Sequence, residues 1–165
     1  MIMEDILKKI SSYNLFNYLF PGTLFAVLAD RFTHYSFIQN DLLSTAFLYY
    51  FIGLVISRVG SLIIEPFLKW VHFLRFAQYT DYVAASQKDP QVPEFSEVNN
   101  TYRTLCSMFL VLIALKIYEM ISPRMIFLGQ WQLYILLGVL FIIFIASYRK
   151  QTEYVRRRIE LGIRK

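Results

Sequence analysis

The sequence contains a single cysteine, Cys106, so no intramolecular disulfide can form. It has only two histidines, and its His, Cys, Asp and Glu residues show no metal-ligand spacing. It has no Cys-x-x-Cys, no His-Glu-x-x-His and no glycine-rich phosphate loop. Its few carboxylates form no clear pair for acid–base catalysis. We therefore expect no enzyme, no metal and no cofactor, and we interpret Cys106 as a small packing residue.

Apolar residues are what the sequence has in excess, at 56% of the chain, and 18% of all residues are aromatic. They concentrate in four stretches, at residues 15–29, 42–64, 105–121 and 127–148. A helix needs about 20 largely apolar residues to cross a bilayer core about 30 Å thick. The pattern therefore predicts an all-α, polytopic membrane protein with four transmembrane helices, at approximately 13–31, 42–64, 104–122 and 127–148.

The first stretch is the shortest of the four and reaches spanning length only with its flanks. Val27-Leu28-Ala29 would also suit cleavage of a signal peptide. Glu4 and Asp5 oppose that alternative because they reduce the positive charge that such a leader carries ahead of its apolar segment. The Pro21-Gly22 pair also interrupts the apolar segment, and together with Asn17 it predicts a bent first helix.

The net charge is +5, and most of the 17 basic residues lie before the first span, between the second and third spans, or after the fourth. Basic segments near span ends stay in the cytoplasm. This asymmetry predicts a multi-pass protein of the bacterial inner membrane with both termini cytoplasmic. The basic ends are expected to meet anionic membrane lipids, and direct binding to nucleic acid is not expected.

Two segments are predicted to leave the membrane on the cytoplasmic side. Residues 66–103 read as a cytosolic helical hairpin that continues spans two and three, with its tip at residues 88–93. Residues 149–165 read as a basic amphipathic helix that extends span four and carries Arg156, Arg157 and Arg158. A short amphipathic lead at residues 1–14 either lies at the inner interface or extends span one.

Small residues mark one face of the second span. Gly53, Ser57 and Ser61 recur at four-residue spacing, and Gly60 lies beside them. Such a stripe lets two helix backbones approach closely in lipid. It predicts a helix-packing face, either within the chain or between subunits of an oligomer.

Polar side chains inside the predicted spans are the candidate functional residues. Arg58 follows sixteen uncharged residues of span two, and Glu65 lies two helical turns further on. A charge near the middle of a bilayer costs at least a few kcal/mol unless it pairs or reaches the interface. Arg58 is therefore either part of a gate, an ion pathway or a subunit latch, or it snorkels to the inner surface.

The third predicted span has polar residues at both ends. Lys116 and Glu119 are three residues apart and can pair along one helix, either at the outer interface or beside a water-filled path. At the inner end, Asn100 and Arg103 are candidates for a partner-binding site. Arg103 is also placed to pair with Glu65 or with Asp81 across the hairpin.

Three segments together resemble a known family. NLFNYLFPGTLF at 14–25, IGLVISRVGSLIIEP at 52–66 and NNTYRT at 99–104 are similar to small four-span proteins of bacterial anti-phage defence loci, such as the membrane subunit of Kiwa-type systems. The resemblance implies an oligomeric inner-membrane protein that works with a cytosolic protein partner. It also implies that the following positions are among those to test: Asn17, Pro21, Gly22, Arg58, Glu65, Asn100 and Arg103.

The sequence and the resemblance lead to one functional hypothesis and several alternatives. The hypothesis is a homo-oligomeric subunit of a defence system that senses infection at the membrane and anchors, or signals to, a cytosolic partner. The first alternative is an effector pore that conducts ions or permeabilises the membrane. A small transporter and a structural membrane adaptor remain as further alternatives.

Overall fold

The computed structural model describes residues 15–163, and every regular element in that range is a helix. We number the α-helices α1 to α6 in chain order. They are α1 (Phe20–Phe32), α2 (Leu42–Val59), α3 (Glu65–Trp70), α4 (Tyr79–Lys88), α5 (Gln91–Ile121) and α6 (Ile126–Ile163). The amphipathic lead predicted at residues 1–14, and the last two residues of the basic tail, lie outside the described residues.

Three helical segments are long and apolar enough to cross a membrane by length and composition. They are Leu42–Trp70, Gln91–Arg124 and Gly129–Ile163. The predicted first span is not among them. Its α-helix has 13 residues, and part of the flank on which its length depends lies outside the described residues.

The wide helical turn at the start of α1 has a local cause. Leu15–Leu19 form a π-helical turn, and Pro21 follows in the first turn of α1. Proline has no backbone N–H to donate to the preceding turn, so the regular hydrogen-bond ladder cannot run through it. Thr23 donates its hydroxyl to the Leu19 carbonyl at 2.8 Å and so satisfies one acceptor of that turn.

The second helix begins at a side-chain cap and continues as one rod. Asp41 Oδ2 accepts the backbone N–H of Ser44 at 2.7 Å, and this bond lowers the pKa of the exposed Asp41 carboxyl. A π-helical segment, Gly60–Ile64, then joins α2 to α3 without a break in the helical path. Glu65 therefore projects from the same long segment as Ser57 and Arg58.

The prediction for the first arm of the hairpin is wrong in one respect, because this arm is not a continuous helix. The long segment ends at Trp70, and α4 starts only at Tyr79. His72 adopts a left-handed conformation with φ 58°, its N–H donates to the Lys69 carbonyl at 3.1 Å, and the Phe73 N–H donates to the Leu68 carbonyl at 3.0 Å. This is the Schellman arrangement that ends helices, with histidine in the position usually taken by glycine.

The third and fourth apolar stretches each belong to a longer continuous helix. The helix α5 has 31 residues and runs without interruption from Gln91, next to the short turn after α4, into the third apolar stretch. The helix α6 has 38 residues and carries the fourth stretch directly into the basic tail. Val83 of α4 is buried where α4 packs against α5.

The protein core lies between α1, α2 and α5. Its buried apolar residues are Phe25, Ala29, Ile56 and Met108. The backbones of α1 and α2 touch here, since a Cβ added at Gly22 would lie 1.8 Å from the Tyr49 carbonyl oxygen. This close crossing explains why a glycine follows the proline in the first helix.

The helix α6 lies at the edge of the bundle. None of its most apolar 18-residue window is buried within the described chain. Its contacts include the stacked rings of Phe51 and Phe144, 6.0 Å apart, and the tilted rings of Tyr79 and Tyr154, 6.3 Å apart. The apolar surface of α6 is therefore left for lipid or for another protein chain.

Candidate functional site

A buried polar junction joins the π-helical turn before α1 to the helices α2 and α5. The Thr104 hydroxyl donates to Asn17 Oδ1 at 3.0 Å or to the Asn100 carbonyl at 2.8 Å, and Asn17 Nδ2 lies 3.5 Å from Ser57 Oγ. The Ser107 hydroxyl donates to the Ile56 carbonyl at 2.8 Å nearby. These side chains are almost completely buried, so their hydrogen bonds replace the water that they lose.

The small residues of the predicted stripe all pack within the chain. A Cβ at Gly53 would lie 1.8 Å from the Tyr18 carbonyl oxygen, and one at Gly60 would lie 3.3 Å from Arg103 and Ser107. Ser57 belongs to the polar junction, and Ser61 accepts a hydrogen bond from α6. The stripe is thus a helix-packing face within the chain, which is one of the two alternatives that the sequence left open.

A charged cluster lies one to two turns beyond the polar junction, toward the basic end of the bundle. We call Glu65, Lys69, Arg103 and Lys150 the Glu65 cluster. Glu65 Oε1 lies 2.7 Å from Lys69 Nζ, and its Oε2 lies 2.9 Å from an Arg103 guanidinium nitrogen and 3.9 Å from Lys150 Nζ. Pairing between Arg103 and Glu65 was one of the two sequence expectations, and it is confirmed.

Lys150 connects α6 to this cluster through the backbone of the second span. Its Nζ donates to the Ser61 carbonyl at 2.7 Å and to the Ser61 hydroxyl at 2.8 Å. The carbonyl is accessible because Gly60–Ile64 form a wide π-helical turn, in which the regular ladder is locally disturbed. One carboxylate and one loosened helical turn therefore hold together three helical segments.

Arg58 is not among the ion-pair partners of Glu65. Its guanidinium donates to the Tyr18 hydroxyl at 3.2 Å. Its Nε is buried without a hydrogen-bond partner among the described residues, as is the Nε of Arg103. Arg58 thus contacts the π-helical turn that precedes the first helix.

The opposite end of the bundle carries the second predicted pair. Lys116 Nζ lies 2.8 Å from Glu119 Oε2, which confirms pairing along one helix; the Lys116 side chain is about half exposed, whereas that of Glu119 is 11% exposed. Glu119 also accepts the backbone N–H of His34 at 3.0 Å, and thereby fixes the loop between α1 and α2 to the end of α5. Lys116 and His34 thus both engage Glu119 within the chain.

The basic end of α6 is exposed. Arg156 and Arg157 pair with Glu153 at 2.9 and 2.8 Å, and Arg158 is exposed. An open pocket of about 410 Å³ lies between this end of α6 and the start of α4. Its lining residues are Gln78, Tyr79, Thr80, Arg157, Glu160 and Leu161. Arg157 is thus held within the chain, whereas Arg158 is available to a partner.

Two residues of these sites were missed by sequence reasoning, namely Thr104 and Lys150. In the sequence, Thr104 stands at the start of a predicted span and at the end of the family-like segment 99–104, and Lys150 is one of several basic residues of the tail. Their positions along α5 and α6 place them at the depth of Ser57 and Glu65, so matching polar residues by depth between spans would have found both. Cys106 differs from expectation in another way, because it is exposed on α5 and is not a packing residue.

The chemistry of these groups is that of packing and charge pairing. Within residues 15–163, no group of three or more His, Cys, Asp or Glu side chains is arranged to hold a metal ion. Comparisons with protein-family models, with curated proteins and with solved structures give no match. Over residues 15–163, the fold is therefore that of an all-helical protein with three helices long and apolar enough to cross a membrane.

Proposed function

We propose that this protein is a membrane-anchored subunit that crosses the bacterial inner membrane four times and presents its hairpin and basic tail to a cytosolic protein partner. In a defence setting, it would sense infection at the membrane and pass the signal to that partner. The helices α4, the first part of α5 and the end of α6 would form the cytosolic surface. At 1.5 Å per residue, the parts of α5 and α6 beyond the Glu65 cluster extend by about 20 Å.

One observation carries this proposal over an ion pathway. Three buried polar side chains of the predicted spans, Asn17, Ser57 and Thr104, hydrogen-bond to one another and form a closed junction. Glu65 is likewise surrounded by cations of the same chain. Groups that are paired inside one chain stabilise its helix packing and do not line a water-filled path between chains.

Self-association would use a different surface from the small-residue stripe. The apolar window of α6 has no buried residue in the described chain, and α5 also exposes large apolar side chains such as Phe109 and Ile113. We therefore assign the subunit contacts of the proposed homo-oligomer to the outer faces of α5 and α6. The packing within each subunit would then remain intact on assembly.

Partner binding is assigned to the exposed basic surface of the tail. An Arg158→Gln variant should weaken binding of the cytosolic protein encoded beside this chain, when the two are co-expressed and purified in detergent. Arg31→Gln, at the end of α1, is a matched control because it removes an equal charge from an exposed site far from the tail. Equal recovery of the partner with both variants would contradict a role of the tail.

An ion-conducting assembly is the second candidate, and Arg58 favours it. Its guanidinium Nε is buried in a membrane-length helix without a partner among the described residues. The full chain, reconstituted in liposomes, should be impermeable to ions if the subunit is an anchor. Ion flux that is lost on Arg58→Gln, together with a ring-sized mass in detergent, would instead support the pore.

A further inference from the structure

The segment that follows the first membrane-length helix has an unusual composition. Aromatic side chains occur at every third residue, at Phe67, Trp70, Phe73, Phe76 and Tyr79. We call residues 67–79 the aromatic segment. The Schellman turn at His72 divides it, so these rings do not form one helical face. Trp70 is 75% exposed and Phe73 76% exposed, and no other part of the described chain covers them.

The position of the aromatic segment indicates what covers these rings. It starts near the end of Leu42–Trp70, shortly after Glu65, and it contains Lys69, so it lies where the apolar part of this helix gives way to charge. Tryptophan and tyrosine are enriched at this depth in membrane proteins because they have an apolar body and a polar edge. The chain also turns back here, since Lys69 Nζ lies 4.1 Å from the centre of the Phe76 ring.

The charge of the aromatic segment is of one sign. Residues 66–80 contain Lys69, His72 and Arg75 but no aspartate or glutamate. Lys69 is engaged by Glu65, whereas Arg75 is exposed and makes no ion pair with any described residue. An exposed arginine beside interfacial aromatic rings suits the phosphate of an anionic lipid headgroup.

We propose that the aromatic segment is an interfacial anchor. Trp70 and Phe73 insert into the leaflet next to the Glu65 cluster, and Arg75 binds the headgroup of an anionic phospholipid. The proposal rests on the membrane placement of Leu42–Trp70 in the proposed function, and it is independent of partner, pore and oligomer. It also makes this part of the predicted cytosolic hairpin a membrane-bound element.

The depth of Trp70 tests the insertion. The chain has two tryptophans, so Trp131→Phe leaves Trp70 as the only one. The full-length variant is reconstituted in bilayers that contain phospholipids brominated at shallow or deep positions of the acyl chain. We expect quenching of Trp70 by shallow bromine, blue-shifted emission and protection from acrylamide. Red-shifted emission with free access to acrylamide would overturn the proposal.

The choice of lipid tests the role of Arg75. Quenching by brominated phosphatidylglycerol is compared with quenching by brominated phosphatidylcholine, and the ratio reports the preference for anionic lipid around Trp70. Arg75→Gln should reduce this preference by up to about fivefold, the effect of one cationic side chain near a membrane surface. Arg31→Gln, which removes a charge at the other end of the bundle, should leave it unchanged. No preference in the parent protein would overturn the assignment of Arg75.

A second measurement does not depend on tryptophan. Phe73→Cys in a Cys106→Ala background carries a nitroxide label whose relaxation by oxygen and by a soluble nickel complex is compared. We expect oxygen, which concentrates in the bilayer, to relax the label more strongly than the nickel complex does. If the nickel complex relaxes the label more strongly than oxygen in bilayers, the lipid proposal is wrong. If this relaxation by nickel then falls when a soluble protein is added, the segment is a protein-binding surface. That result would leave the proposed function standing, whereas a protein that is soluble without detergent would contradict both.

Discussion

Glu65 joins three helices through one carboxylate, since Lys69 belongs to its own helix, Arg103 to α5 and Lys150 to α6. Its side chain is only 10% exposed, so the cations around it depend on it for their counter-charge. A buried ion pair contributes little net stability, but removal of one member leaves the others uncompensated. The cluster is thus a point at which a single change affects the whole bundle.

Glu65→Gln is expected to lower the free energy of unfolding by about 2–3 kcal/mol. This loss lies at or just below the usual cost of about 3–5 kcal/mol for breaking a buried ion pair, because Arg103 and Lys150 keep some access to solvent. Denaturant titration of the purified protein in detergent measures this loss. Glu153→Gln, which removes an exposed partner of Arg156 and Arg157, is the control and should leave the midpoint unchanged. Equal midpoints for the two variants would contradict the importance of the cluster.

Gly53 is a second residue with a large expected effect. An added Cβ would lie 1.8 Å from the backbone oxygen of Tyr18, so α1 and α2 must separate to accept it. Gly53→Ala should therefore lower the free energy of unfolding by about 2 kcal/mol or more. Gly138→Ala on α6 is a matched control, because nothing lies within 4 Å of its added Cβ and alanine favours a helix. A neutral Gly53→Ala would mean that the two helices do not cross this closely.

At the scale of elements, sequence patterns predicted the continuity of helices better than the positions at which helices end. The continuous helices α5 and α6 followed from apolar and charged residues at helical spacing through the predicted membrane ends. The stop after Trp70 did not, because the residue in the left-handed position is His72 and no glycine or proline marks it. The hydrogen bonds of the turn, and not the local sequence preference, determine this stop.

His72 therefore carries a measurable conformational cost. A left-handed conformation costs a residue with a Cβ about 1–2 kcal/mol relative to glycine. His72→Gly should raise the free energy of unfolding by about 0.5–1 kcal/mol, after the extra freedom of glycine in the unfolded chain is subtracted. His72→Val should lower it, because a branched side chain tolerates this conformation least. If valine and glycine have the same effect, the helix does not end in this turn.

Predictions of pairing between elements succeeded where one residue had few possible partners. Glu65 is the carboxylate nearest to Arg103 at the same depth, and Lys116 has Glu119 one turn away. The partner of the small-residue stripe was not predictable, because glycine and serine pack equally well against a helix of the same chain or of another chain. Tertiary packing decides between these, and it brings Tyr18, Asn17 and Arg103 onto the stripe.

For the whole molecule, the two ends of the bundle differ in charge. The loop between α1 and α2 meets Glu119 at one end, whereas the Glu65 cluster, the hairpin and the basic tail lie toward the other. Three helices have the length and composition to connect these ends through a bilayer. The proposed topology places the basic end in the cytoplasm, as the distribution of lysine and arginine favours. The apolar surface of α6 is then exposed to lipid or to another subunit.

The central claim is that the two ends of the bundle lie on opposite sides of a membrane. It is tested in spheroplasts with Cys106→Ala as the background, Ser36→Cys in the loop after α1 and Lys88→Cys at the end of α4. A membrane-impermeant maleimide should label position 36 in intact spheroplasts, and position 88 only after the membrane is permeabilised. Labelling of both positions to the same extent in intact spheroplasts, or of position 88 alone, would contradict the claim.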